Sequence, residues 1–386
     1  MIFSDAEPGT TTKAAASLEK AMCRAGVVKH GAKDVDDVDD ATCVGIQLVE
    51  GRHWWPPAGR LWQLILAILD LVSYRRASPG GIAAFLGVLQ WYDLLQCCKL
   101  AVHDKVYGFA RDAKDWTVVG VPEAVVQELV TGVALMAFCS VDMGKPHLPF
   151  VGATDASHVN GHGACVAPLA LDRVRALACF DAKIGDHVTL SDELDPHKSK
   201  LRLGKPRKLD LALADFHVVL SVRVDEHQHV NIEEGKAFLR YLRWVLRSPR
   251  RFESRVVVLI DSRVWLCAAA KGRSGSWSVN RLLQRTAALT MAAGLVLHLS
   301  YVPSGHNPSD WPSRGGPASW PPGLGRAPRP RTARTSPIQR YEAHIEGAWQ
   351  RLRETGMLSS EASGSGYSSA WDSCSDDSGP EDSGRT

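Results

Sequence analysis

The chain has no long uninterrupted apolar run. Its longest, Leu61–Val72, is broken by Gln63 and Asp70 and is too short to span a bilayer, so no membrane role is expected. The opening, MIFSDAEPGTTTKAA, has no basic start followed by an apolar stretch, and no secretory signal is expected. Nine cysteines are scattered without a Cys-x-x-Cys pair and without an accompanying His-rich run. That spacing argues against a zinc site and fits reduced thiols in an intracellular protein, nuclear or cytoplasmic. Net charge is nearly absent as well, with 45 Lys and Arg against 42 Asp and Glu. Any recognition of an anionic partner must therefore come from local clusters of charge.

What is present is ample core material. Hydrophobic residues are 45% of 386, enough for two ordinary domains with tails. Residues 1–48, with the acidic run DVDDVDD, offer few large apolar groups and are expected to be mobile. Residues 49–148 read as a small helical domain. Leu61, Leu64, Ile65, Ile68 and Leu69 form one stripe at helical spacing, and Ile82, Phe85, Leu86 and Leu89 another. Ser78 and Pro79 mark the start of the second helix, and a third begins near Pro122 with Val125, Val126, Leu129 and Val130 inward. Arg75, Arg76, Lys99, Lys105 and Arg111 punctuate this region, so packing alone or packing plus nucleic-acid contact are both open. From Pro149 to Gly315 short β-rich runs alternate with helices, the order of an α/β or α+β domain. Residues 316–386 turn Pro/Gly/Arg-rich and then Ser/acidic, an expected disordered tail with one amphipathic segment near 338–353.

Four acids in the 149–315 region stand where strand or helix ends present carboxylates. Asp155 follows the apolar stretch Phe150–Ala153, and the small residues Gly161, Gly163 and Ala164 suit a tight hairpin into a second strand. Glu233 and Glu234 lie in the first turn of a helix for which Asn231 is a candidate cap, with Ala237, Phe238, Tyr241, Leu242 and Val245 on its inward face. Glu234 is favoured as the functional one, with Glu233 open. Asp261 directly follows VVVLI, a strand buried on both faces, and Ser262 opens the next helix. Asp310 ends the loop after a strand at Leu295–Val302. Each has an ordinary explanation alone: a turn, a helix dipole, a cap, a turn again. Together they suit a pair of divalent ions about 4 Å apart, which need several hard oxygen ligands and which neutralise carboxylates that would otherwise repel.

These residues resemble the ribonuclease H domain of retroelement reverse transcriptases, in particular the DIRS-like and related long-terminal-repeat groups. The resemblance is carried by Thr154-Asp155-Ala156-Ser157 with Gly161 and Gly163, by Asn231-x-x-Glu234-x-x-Ala237, by Ile260-Asp261-Ser262, and by Asn307-Pro308-Ser309-Asp310 followed by Pro312-Ser313-Arg314. Upstream, Ala77–Trp91 and Asp104–Phe109 resemble the thumb and connection helices that precede this domain, and no Tyr-x-Asp-Asp pair of a polymerase palm is found. Gly235 stands where the family has an apolar residue, and Gly185–Asp210 reads as an insertion between strands.

The resemblance implies a five-stranded mixed sheet flanked by helices and metal-dependent hydrolysis of the RNA strand of RNA–DNA hybrids. It implies Mg2+ as cofactor, two ions with Mn2+ as a substitute, held by Asp155, Glu234, Asp261 and Asp310. His306 matches the place of a mobile histidine that helps product leave. Ser157, Lys271, Arg273, Ser276, Arg281, Arg285 and Arg314 are candidates for backbone contacts to the hybrid, as is the basic cluster Lys198–Lys208. A polymerase on a separate subunit is a further implied partner. Two other readings stay open: a catalytically silent nucleic-acid-binding or interaction domain, and DNA strand cleavage or transfer on the same fold.

Overall fold

The computed structural model describes residues 9–27, 38–111, 114–179, 186–190, 205–225 and 228–315. The expected C-terminal tail with its segment near 338–353, and most of the expected insertion including Lys198, lie outside the described residues. Two parts of the segment expected to be mobile have regular structure. Thr10–Arg24 is a helix, because Lys13–Ala16 and Leu18–Met22 supply Ala, Leu, Glu, Lys and Met, the residues that lose least on entering one. Strands Ala41–Cys43, Ile46–Val49, His53–Trp55 and Val141–Asp142 then form a four-stranded antiparallel sheet. Its two tight turns, Val44-Gly45 and Glu50-Gly51, have positive φ at both residues, as type I′ hairpins require.

The helical region follows the expected stripes with two corrections. Leu61, Leu64, Ile68, Ile82, Leu86, Leu89, Val125, Val126 and Leu129 share one core. Leu69 and Val130, counted with them, are 43% and 40% exposed. Each follows a buried residue by one position, which is about 100° around the helix and carries the side chain off the inward stripe. Ser78 caps the helix Pro79–Asp93 by accepting from the Gly81 N–H at 3.1 Å. Pro79–Phe109 is long and apolar enough to cross a membrane by length and composition alone. Its φ/ψ break at Gln96, and at its middle Lys99 donates to Asp93 at 2.5 Å while His103 meets the other carboxylate oxygen at 2.8 Å, all three fully buried. Of the basic residues that punctuate this region, Lys99 is thus a core group.

From His147 onward the chain builds a five-stranded mixed sheet flanked by helices. Its strands are β1 (His147–Ala156), β2 (Gly161–Pro168), β3 (His217–Arg223), β4 (Arg255–Ile260) and β5 (Val296–Tyr301), in the order β3-β2-β1-β4-β5. The first three pair antiparallel, and β1, β4 and β5 run parallel. Helices α1 (Leu171–Ala178), α2 (Val230–Val245), α3 (Arg263–Lys271) and α4 (Trp277–Ala292) flank it, and the short α5 (Asp310–Ser313) closes one end. Val256, Val258 and Ile260 face a core with α2 and α4, while Val257 and Leu259 face one with α1. The strand is therefore apolar on both faces, as its uninterrupted sequence requires. Close packing explains two glycines. A Cβ at Gly152 would lie 2.1 Å from the Tyr241 hydroxyl, so α2 rests directly on β1. At Gly235 it would lie 2.7 Å from both Leu282 and the Trp265 ring, so the glycine that weakens α2 locally is the one that lets α2 meet α3 and α4.

Candidate metal centre

The sheet order puts the ends of β1 and β4 side by side. Ile260 pairs with Thr154, so Asp155 on one strand and Asp261 just past the other are lateral neighbours. Ser262 then caps α3 by accepting from the Trp265 N–H at 3.3 Å, which turns the chain away and leaves Asp261 at the edge. α2 lies against β1 and brings Glu234 over the same point, where the Ala156 N–H hydrogen-bonds its carboxylate. One oxygen from each of Asp155, Glu234 and Asp261 falls within 4.8 Å of the others.

Such a cluster is electrostatically costly without a cation. Burial, with Asp261 and Asp310 as neighbouring negative charges, pushes the Asp155 carboxyl up to about 7. Burial, aided by Asp155 and Asp261, takes Glu234 up to about 9. Asp261 is raised too, chiefly by burial, against hydrogen bonds from Asn307 and Ser304. Glu234 Oε2 and Asp261 Oδ1 are buried with no hydrogen-bond partner among the described residues. Three convergent carboxylates, two with orphaned oxygens, form a hard-oxygen donor set that fits a divalent ion such as Mg2+ or Mn2+.

Asp310 stands apart from the three. Its two oxygens take a bidentate pair from Arg314, Nε at 2.9 Å and Nη2 at 2.7 Å, with 37% of its side chain exposed. It still lies close enough to raise Asp155. The cause of that proximity is Gly163, which pairs with Asp155 across the hairpin. A Cβ on Gly163 would sit 2.5 Å from the Ser309 carbonyl and the Ser313 amide, so the α5 segment lies on β2 beside the triad. Gly163, expected to suit the hairpin, also admits the close approach of the α5 backbone. The loop before α5 is fixed by Asn307, whose Nδ2 donates to the Thr154 carbonyl at 3.0 Å and whose Oδ1 accepts from the Ser309 N–H at 3.1 Å.

Several sequence expectations change place. Glu233 does not join the triad: its Oε2 meets His162 Nε2 at 2.7 Å, and its Oε1 accepts from Lys236 Nζ at 2.9 Å and the Gln228 N–H at 3.1 Å. Those donors hold its carboxyl below the usual range despite burial. His229, not Asn231, caps α2, because its Nδ1 accepts from the Asn231 N–H at 3.3 Å. His306 is 2% exposed, and its Nδ1 accepts from the Leu190 N–H at 3.2 Å. It is held against the end of the neighbouring strand His187–Thr189, where the resemblance implies a mobile histidine.

The candidate backbone contacts fall in two groups. Arg314 lies beside the triad, and Ser157 is in the β1–β2 turn, where its Oγ accepts from the Val159 N–H at 3.1 Å. Lys271, Arg273 and Ser276 are exposed around the α3–α4 connection, with Lys271 at the far end of a nine-residue helix and so about 13 Å along it from Asp261, and Arg281 and Arg285 are exposed on α4. Arg273 lies 4.3 Å over the Tyr107 ring of the helical region and Arg281 5.5 Å over Trp277. Ser304, which hydrogen-bonds Asp261, carried no readable signal, whereas Asn307 was visible as part of the loop motif but without a role.

Fold and site define a class: a ribonuclease H-like sheet carrying a buried acidic triad where its two central strands end. No protein-family model matches the chain, and no curated protein matches it. Among solved structures it is similar to the foamy viral protease-reverse transcriptase in complex with RNA/DNA hybrid, at 9% sequence identity and a TM-score of 0.29. The similarity covers 81% of this chain and 58% of that one.

Proposed function

We propose that the chain is a metal-dependent endonuclease of the ribonuclease H type, derived from a retroelement reverse transcriptase and acting on the RNA strand of RNA–DNA hybrids. The observation that carries this reading is the convergence of Asp155, Glu234 and Asp261 within 4.8 Å, with buried carboxylate oxygens left unpaired. These three would hold divalent metal, with Asp310 as a fourth ligand once its carboxylate leaves Arg314. Two Mg2+ ions, or Mn2+ in their place, would supply an activated water and charge stabilisation for the leaving oxygen of a phosphodiester. The chain's own part is placement. Asn307 and Ser304 orient Asp261, the Ala156 N–H orients Glu234, and Arg314 next to the triad offers a guanidinium to a phosphate.

The exposed Lys271, Arg273, Arg281 and Arg285, with Ser276, would track the hybrid backbone away from the cut. Ribose 2′-hydroxyls would mark the strand to be cleaved. A polymerase on a separate subunit fits this assignment as partner. The Asp310–Arg314 pair favours a second reading, a silent nucleic-acid-binding domain in which the fourth carboxylate is permanently neutralised.

Cleavage of a hybrid labelled on its RNA strand separates the two. Magnesium-dependent cutting by the native chain that is abolished by Asp261→Asn supports the nuclease. Binding without cutting, unaffected by EDTA, supports the silent domain.

A further inference from the structure

We propose that Glu233 and His162 form a positioning pair that locks the first turn of α2 onto β2 and thereby aims Glu234 at Asp155 and Asp261. The inference rests on the metal reading above only for one of its two readouts. First-turn glutamates ordinarily face water and serve the helix dipole. Glu233 is instead 2% exposed and His162 1%, with 2.7 Å between Nε2 and Oε2. The second oxygen of Glu233 holds Lys236 and the Gln228 N–H, so the same carboxylate also ties down the turn that leads into the helix.

The connections close into a ring around the site. His162 is the cross-strand partner of Ala156, the residue after Asp155. The Ala156 N–H hydrogen-bonds Glu234, and Glu234 follows Glu233. The helix that carries Glu234 is therefore tied to the β1–β2 pair twice, to β2 through Glu233 and His162 and to β1 through Glu234 and Ala156. Filling the volume does not need this arrangement, since an apolar pair of similar size packs at least as stably as a buried charged one. Directional bonds add something an apolar pair cannot: they fix the rotation of the α2 start about its axis, and with it the direction of Glu234. Groups that orient a metal ligand in this way are typically worth 10–100-fold in metal affinity.

The test uses the full chain with His162→Gln, Glu233→Gln, both together, and the volume-filling double His162→Leu/Glu233→Leu. Two quantities are measured: manganese affinity by calorimetry, and amide exchange over residues 228–235 without metal. The pair predicts at least tenfold weaker manganese binding in each Gln variant with no further loss in their combination, and faster exchange confined to the α2 start. The Leu double is expected to unfold near the native temperature and still bind manganese weakly. Unchanged affinity and unchanged exchange in the Gln variants would overturn the proposal, and so would native affinity in the Leu double. If the native chain takes up no manganese, the metal reading fails on its own. The exchange measurement then decides the pair, with unaltered protection in the variants counting against it and lost protection for it.

Discussion

Replacing Glu234 with Gln should make the metal-free protein more stable at neutral and alkaline pH. Glu234 is 6% exposed, and its carboxyl rises from 4.5 to about 9 in the folded chain. At pH 7.5 the unfolded chain has released this proton and the folded chain has kept it. The folded state therefore gives up about 1.4 kcal/mol for each of three pH units, about 4 kcal/mol as a ceiling. Asp155 and Asp261 supply part of the shift and relax when the third acid is removed, so about 2–4 kcal/mol is the expected gain. The sign follows from a raised pKa: stability is fully present below about pH 4.5 and is lost as pH climbs through 9. Gln keeps a carbonyl for the Ala156 N–H and has no proton to lose.

In EDTA, thermal unfolding followed by circular dichroism should show the variant melting about 5–15 °C above the native chain at pH 7.5. The gap should close toward pH 4.5. Saturating magnesium should shrink or reverse it, because metal at a hundred times its Kd stabilises only the native chain, by about 2.7 kcal/mol. A variant no more stable than native at pH 7.5, or a gap that does not depend on pH, would refute the reasoning.

Three further substitutions test the packing and charge arguments. Gly235→Ala, which in an exposed helix gains about 1 kcal/mol, should cost about 1–3 kcal/mol here because its Cβ meets Leu282 and Trp265 at 2.7 Å; urea unfolding measures it, and a gain would show that the helices can part freely. Lys99→Met strips Asp93 of its ammonium partner at zero exposure and should cost about 3–5 kcal/mol by the same assay, whereas a loss under 1 kcal/mol would mean His103 alone satisfies the carboxylate. Arg314→Ala removes a largely exposed pair and should change stability by less than about 1 kcal/mol in chemical denaturation, a larger loss implying that the pair holds α5 in place.

The legible parts of the site were those set by local pattern. Five consecutive apolar residues before Asp261 mark a doubly buried strand with the acid at its end, and Ser262 marks the helix that follows. Asp155 and Asp310 were placed correctly at a strand end and a loop end for similar reasons. The choice between Glu233 and Glu234 was only partly legible: both occupy the first turn of α2, and although Lys236 stands three residues after Glu233, the buried partner His162 is 71 residues away. The burial of His306 depends likewise on Leu190, more than a hundred residues upstream. The pairing of Asp310 with Arg314 was readable in principle, since acid and base stand at i and i+4. The first three strands of the four-stranded sheet were hinted at by the glycines of the Val44-Gly45 and Glu50-Gly51 turns but are too short to show alternation, and the fourth, Val141–Asp142, pairs with His53 and Trp54 from far along the chain. Gly235 reads as a defect in one helix and becomes a requirement only when three helices are seen together.

The central claim is that Asp155, Glu234 and Asp261 act as one divalent-metal site, and magnesium or manganese titration by calorimetry in two buffers of different ionisation heat tests it most directly. At pH 6.5, carboxyls raised to about 7 and about 9 still hold protons, so uptake of metal should be saturable and should release protons. The measured heat should then differ between the buffers, and Asp155→Asn should abolish both the binding and the difference. Heats that show no saturation at millimolar metal, or binding that Asp155→Asn leaves intact, would contradict it.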